Sequence, residues 1–223
     1  MRPKNSQLLF AAAMVLAALF LAATALEASA ARPGQGWRST RYGRRGAEIW
    51  AEFPRVTYAT GAGYREEFDV TEGVGLGFGL MWGVSDNIAV EGRMLQTNHA
   101  VGEDEEKSEW DLDVIKVGAR YSFFEEYRFQ PFVGAGWAKI TLERDVSYDS
   151  SDPFERLTGY GAYVTLGVDY IHSSAWGAFL RADYTHGGYG HHTVGLEEGA
   201  LDDPLSGNCA SVTIGIAYRI PSW

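Results

Sequence analysis

Residues 73–87 read Gly-Val-Gly-Leu-Gly-Phe-Gly-Leu-Met-Trp-Gly-Val-Ser-Asp-Asn. Glycines stand at 73, 75, 77 and 79, with Val74, Leu76, Phe78, Leu80 and Trp82 at every second position. A period of two predicts a β-strand, here with one apolar face and one face almost free of side chains. Glycine weakens a strand unless something else needs the space above it. The narrow lumen of a small closed barrel creates that need. Ser85-Asp86-Asn87 then predicts a tight turn, because these side chains bond to nearby backbone.

Outward from this stretch the same alternation predicts eight strands, over about 49–60, 73–84, 88–97, 110–123, 130–143, 158–171, 176–186 and 211–220. Pro54 interrupts the first, and a change of phase there predicts a bulge or an edge position. Three connections are short, at Ser85–Asn87, Glu125–Arg128 and His172–Ser174. Four are long and polar, at about 61–72, 98–109, 144–157 and 187–210. Short turns on one rim and long loops on the other are the pattern of outer-membrane barrels. The strand lengths meet the requirement of about 9–11 residues for a tilted membrane-crossing strand.

The two faces differ in content. Tyr160, Ala162, Val164, Leu166, Val168 and Tyr170 share one face of the sixth strand, and Trp176, Ala178, Leu180, Ala182 and Tyr184 one face of the seventh. Val212, Ile214, Ile216, Tyr218 and Ile220 do so in the last. Aliphatics between aromatic ends suit a lipid-facing band with interfacial girdles. The opposite faces carry Glu91, Arg93, Lys116, Arg120, Asp169, Arg181, Asp183 and Arg219 among many glycines. These eight are expected to form a packed structural charge network across a narrow polar lumen. The glycines of 73–79 are expected to leave room for Glu91, Arg93, Lys116 and Arg120.

The chain begins with Arg2 and Lys4, an uncharged apolar run from Leu8 to Leu26, and Ala28-Ser29-Ala30. This layout predicts a secretory signal peptide over 1–30. Residues 31–46 hold five arginines, four glycines and no acid, and read as a flexible basic segment ahead of a barrel at 47–223. Of 19 Lys and Arg and 29 Asp and Glu, two and one lie in the predicted signal, leaving 17 against 28 and a net charge of −11. That balance argues against nucleic acid as a partner. Cys209, the single cysteine, excludes an internal disulfide and a thiolate metal cluster.

Gly-Phe-Gly-Leu-Met-Trp-Gly-Val-Ser-Asp-Asn-Ile-Ala-Val-Glu-Gly-Arg at 77–93, Phe-Gln-Pro-Phe-Val-Gly-Ala-Gly-Trp at 129–137 and Ser-Val-Thr-Ile-Gly-Ile-Ala-Tyr-Arg-Ile at 211–220 resemble the small outer-membrane β-barrel superfamily of the OmpA transmembrane domain, OmpX and OmpW. The resemblance covers about 47–223 and implies an all-β, eight-stranded antiparallel up-and-down transmembrane barrel in the outer membrane. It also implies lipid and lipopolysaccharide as surroundings and the barrel-insertion machinery as a partner, read through an aromatic terminal residue, here Trp223.

Chemistry-bearing residues are sparse. His186, His191 and His192, with Glu197, Glu198, Asp202 and Asp203 nearby, are candidate metal ligands. Two adjacent histidines among glycines fix no tetrahedral geometry, so a polar surface loop is the preferred reading. His172-Ser173-Ser174 resembles the H-x-S of lipid A deacylases, but falls in a short turn on the rim away from the outer leaflet. Acidic residues at 103–106, 109, 111 and 113, and at 145, 149, 152 and 155, could take divalent cations, although no spacing matches a dedicated calcium loop. No catalytic group and no cofactor is expected. The sequence reading is a non-enzymatic structural or surface-interaction barrel; a narrow channel for small or hydrophobic solutes is the alternative, and lipid A modification the third.

Overall fold

A computed structural model describes residues 46–59, 72–85, 87–101, 108–124, 127–144, 155–194 and 197–220. The predicted signal peptide and all but Gly46 of the basic segment lie outside these residues, as do most of the first and third long connections and half of the second. The strands are β1 (Gly46–Ala59), β2 (Gly73–Gly83), β3 (Ile88–Val101), β4 (Ser108–Ser122), β5 (Phe129–Arg144), β6 (Glu155–Ile171), β7 (Trp176–Val194), β8 (Glu197–Ser206) and β9 (Cys209–Arg219). Their order is β6-β5-β4-β3-β2-β1-β9-β7-β8, and β6 also pairs with β7. Eight strands therefore close into an all-antiparallel barrel, with β8 attached to β7 outside the ring of eight.

Two expectations are corrected. The stretch 187–210 is not simply a loop: β7 runs on to Val194, and β8 returns beside it from Val194↔Glu197 to Gly188↔Ser206. Its glycines and histidines look like loop residues in sequence, yet β6 pairs with the same part of β7, from Glu155↔Val194 to Thr158↔His191. Leu201 and Leu205 of β8 also pack on buried side chains of the barrel. Nor does the phase of β1 change at Pro54. Against β2 the pairs Glu52↔Gly77 and Arg55↔Val74 keep one register, and Pro54 pairs with Thr213 of β9. The irregularity comes later, between Val56 and Tyr58 on the β9 side.

Two of the three short turns share one construction. Val84 and Ser85 donate backbone N–H bonds to Ile88 O, as His172 and Ser173 do to Trp176 O. Ser85 Oγ accepts the Ile88 N–H at 3.0 Å, and Ser173 Oγ accepts those of Trp176 at 3.0 Å and Ala175 at 3.3 Å. Ser173 is thus a turn residue with its oxygen engaged by backbone.

Strands of 14–19 residues, as in β3 to β7, exceed what a tilted crossing needs, and the surplus has its own logic. On β5 the outward residues Phe129, Val133 and Trp137 are exposed and apolar, and beyond them Lys139, Thr141 and Glu143 are polar. On β4 Tyr121, Val117 and Ile115 give way to Asp113 and Asp111; on β3 Ile88, Val90 and Met94 give way to Gln96 and Asn98. The inward face changes in the opposite sense at the same place. Glu91 and Arg93 are followed by Leu95, and Lys116 and Arg120 are preceded by Val114, Leu112 and Trp110. Register aligns the changeover across three strands: Met94↔Ile115 and Leu95↔Val114, then Ile115↔Lys139 and Val114↔Ile140. On these three strands the wall is apolar outside and charged inside below this row; above it, polar outside and apolar inside.

The upper interior is an apolar core of Val56, Leu95, Trp110, Leu112, Val114, Ile140, Leu142, Leu157, Tyr189 and Cys209, beside the buried pair Thr97 and His99. This corrects the expectation of a polar lumen throughout: outside the bilayer, water covers the outer face, and a barrel wall must then bury its apolar residues inward.

The alternating glycines of β2 face inward as expected, but beneath different neighbours. A Cβ on Gly79 would fall within the Trp50 indole and one on Gly73 within the His99 ring. At Gly77 it would strike the Leu95 side chain and lie 2.9 Å from both Glu52 Cγ and Met94 O. The side chains nearest to Gly73, Gly77 and Gly79 are thus His99, Leu95, Glu52 and Trp50 of the flanking strands. Gly77→Leu is expected to prevent barrel closure, because neither strand backbone nor a packed interior yields to a whole side chain. In gel electrophoresis of the refolded protein the compact, heat-modifiable band should be lost.

Candidate functional site

Glycine-bearing strands and charged strands are interleaved around the ring. β2, β5 and β9 present mainly glycine, alanine, threonine or an aromatic ring to the lumen, whereas β1, β3, β4, β6 and β7 supply the charges. Each glycine strand lies between two charged ones. Long side chains can then lean over a neighbour that has none. Aromatic rings follow the same rule: Phe132 covers Gly167, Phe179 covers Gly215, and Tyr163 covers Gly118 and Gly136.

The structure brings seven of the eight expected lumen residues together. Glu91, Arg93, Lys116, Arg120, Asp169, Arg181 and Asp183 are all buried. Arg93 donates two hydrogen bonds to the Asp183 carboxylate, the Nη1 one to Oδ2 at 3.2 Å, and Lys116 Nζ lies 3.8 Å from Asp183 Oδ1. Arg120 donates to Asp169 Oδ2. Glu91 lies 3.7 Å from Arg93, 4.0 Å from Arg120 and 3.8 Å from Arg181. Tyr163 Oη donates to Glu91 Oε1 at 3.2 Å, and its ring lies beside Arg93 and Lys116 at the base of the apolar core. Arg219 stands apart, at the short-turn mouth, where its Nη2 reaches Glu48 Oε2 at 3.4 Å.

The sequence reading missed Glu52, which is fully buried and lies 3.8 Å from Arg93 and 3.7 Å from Arg181. It joins Glu91, Asp169 and Asp183 opposite Arg93, Lys116, Arg120 and Arg181, while the fifth buried carboxylate, Glu48, faces Arg219 at the mouth. The signal was present in Glu48-Ile49-Trp50-Ala51-Glu52-Phe53, which alternates cleanly once Pro54 is not taken as a break. Arg181 is also held by rings, its guanidinium carbon 4.2 Å from the Phe179 centroid and 5.1 Å from that of Trp50. Such contacts are worth about 2 kcal/mol when desolvated.

The candidate metal histidines are not gathered into one site. His186 Nδ1 lies 2.7 Å from Asn208 Oδ1, and His192 Nε2 lies 2.9 Å from Glu155 Oε1. His191 pairs by register with Thr158 and Ala200. Among the described residues no group of three or more His, Cys, Asp or Glu is arranged to hold a metal ion. Trp176, expected in the outward girdle, is instead buried against Tyr218, with ring centroids 4.6 Å apart, and lines the short-turn mouth.

Removing one member of a buried charge set leaves its partners unpaired in a low dielectric, which costs about 3–5 kcal/mol. Asp183→Ala should lower unfolding stability by about that amount in urea titrations of the lipid-reconstituted barrel. Arg156→Ala breaks the partly exposed pair with Glu143 on the outer face. It should cost about 0–1 kcal/mol, since water screens that pair.

The comparisons agree with this architecture. No curated protein matches the sequence. Among solved structures, Neisserial surface protein A superimposes with a TM-score of 0.57 at 14% identity, covering 78% of this chain and 97% of that one. The outer membrane protein OprG from Pseudomonas aeruginosa gives 0.55 at 17% identity, covering 81% and 98%. At these identities the likeness is one of fold. The outer membrane protein beta-barrel domain is matched over residues 13–219. With most of its length in that match and a closed eight-stranded barrel behind it, the chain belongs to the outer membrane β-barrel domain family and is a protein of the outer membrane.

Proposed function

We propose that this barrel is a non-enzymatic structural and surface-interaction protein, acting through the rim opposite its short turns. The observation that carries the reading is the filled lumen. Among the described residues, four buried cations and five buried anions occupy its lower half, and a packed apolar core occupies its upper half. Eight strands leave an interior just wide enough for side chains, and both halves use that width. What remains for interaction is the outer rim, where β6, β7 and β8 form a sheet continuing past the ring. Two features speak against lipid A hydrolysis. Ser173 spends its oxygen on backbone N–H groups, and its turn lies on the rim away from the outer leaflet.

The channel alternative has one observation in its favour, a small recess of about 20 Å³ at the short-turn mouth, lined by Glu48, Asp169, Trp176 and Arg219. Beyond it stand the Arg120–Asp169 pair and then the apolar core. In planar bilayers the purified barrel should therefore be silent at all voltages. A steady conductance that changes with Arg120→Ala or Arg181→Ala would replace this reading with the channel.

A further inference from the structure

Among the described residues of β3, β4 and β5, the row at which the wall changes polarity carries one cation on its outer face. Lys139 is exposed, and it sits on β5 directly across from Tyr160 of β6 in register. Trp137 lies two residues toward the apolar band on the same face; it is 76% exposed and Tyr160 65%. The outward cations Arg55 and Arg156 are paired with Glu72 and Glu143. Lys139 has no ion-pair partner among the described residues. Ile115 stands across from it on β4, and Asp113 lies one step diagonally above. An unpaired ammonium flanked by two exposed aromatic rings therefore stands where hydrocarbon ends and the outer-leaflet headgroups begin.

We propose that Lys139, framed by Trp137 and Tyr160, is a binding site for the phosphate of an anionic outer-leaflet lipid. Charge complementarity selects the occupant: at this depth a lysine can lay its stem along the apolar band and reach the headgroup layer with its ammonium. Trp and Tyr favour that same depth, where their rings flank the headgroup. The site is independent of whatever the rim binds and of whether the lumen conducts. The mature chain's predicted net charge of −11 repels anionic lipid in general. Local enrichment at one position therefore stands out against the background.

The test reconstitutes the full barrel in phosphatidylcholine vesicles that contain a minor fraction of either brominated phosphatidylglycerol or brominated phosphatidylcholine. Quenching of Trp137 is read as the difference from Trp137→Phe. One lysine–phosphate contact near the membrane surface predicts about a fivefold preference for the anionic lipid. Lys139→Arg should keep that preference, and Lys139→Gln should abolish it while leaving the heat-modifiable band unchanged. Equal quenching by the two lipids, or a preference that survives Lys139→Gln, would overturn the proposal.

Discussion

Each register row of a barrel wall has two faces, and each face must suit the medium it meets. That constraint organises this molecule. Lipid on the outside forces polar side chains inward, where they are enclosed on every side and must be paired. Water on the outside forces apolar side chains inward, where they pack as in a soluble protein. The strands are long enough to meet both media, so the wall reverses its polarity once, near Met94, Ile115 and Lys139. The two interiors meet at Tyr163, whose ring joins the apolar core above while its hydroxyl bonds Glu91 below.

The charged half solves a problem the apolar half does not have. Burying an ion costs several kcal/mol unless geometry and further bonds offset the loss of water. Here the offset is collective. Asp183 serves both Arg93 and Lys116, Glu91 serves three arginines, and Arg181 relies on aromatic faces as well as on Glu52 and Glu91. None of this fits in a lumen this narrow unless neighbouring strands withdraw. The alternating glycines of β2 are that withdrawal, and the glycines of β5 and β9 repeat it beneath Tyr163 and Phe179. Glycine content and charge content are thus two sides of one packing solution.

Much of this was legible in the sequence. Period two, the short and long connections and the aromatic ends of β6 place the barrel and its lipid face, because those patterns are local. The polarity reversal was also written there, as pairs of adjacent apolar residues that break the alternation: Met94-Leu95, Val114-Ile115 and Trp137-Ala138. Single doublets look like noise within a strand, and only the register brings them into line. Glu52 was hidden by Pro54, a residue that usually interrupts a ladder and here sits inside one without changing the phase. The β7–β8 hairpin was hidden by its composition, since Gly-Gly-Tyr-Gly-His-His becomes strand only through pairing with β6 and burial of Tyr189. Which glycine lies beneath which ring depends on neighbours distant in sequence, and no local pattern carries it.

The reversal is most directly tested by depth measurements on β5. Nitroxides placed at outward positions 135 and 143, one at a time in a Cys209→Ala background, report collisions with oxygen, which concentrates in lipid, and with a water-soluble nickel chelate. Position 135 should be dominated by oxygen and position 143 by the nickel chelate, with the crossover near Lys139. Oxygen-dominated relaxation at both positions would mean that lipid covers the polar rows, and would contradict the account.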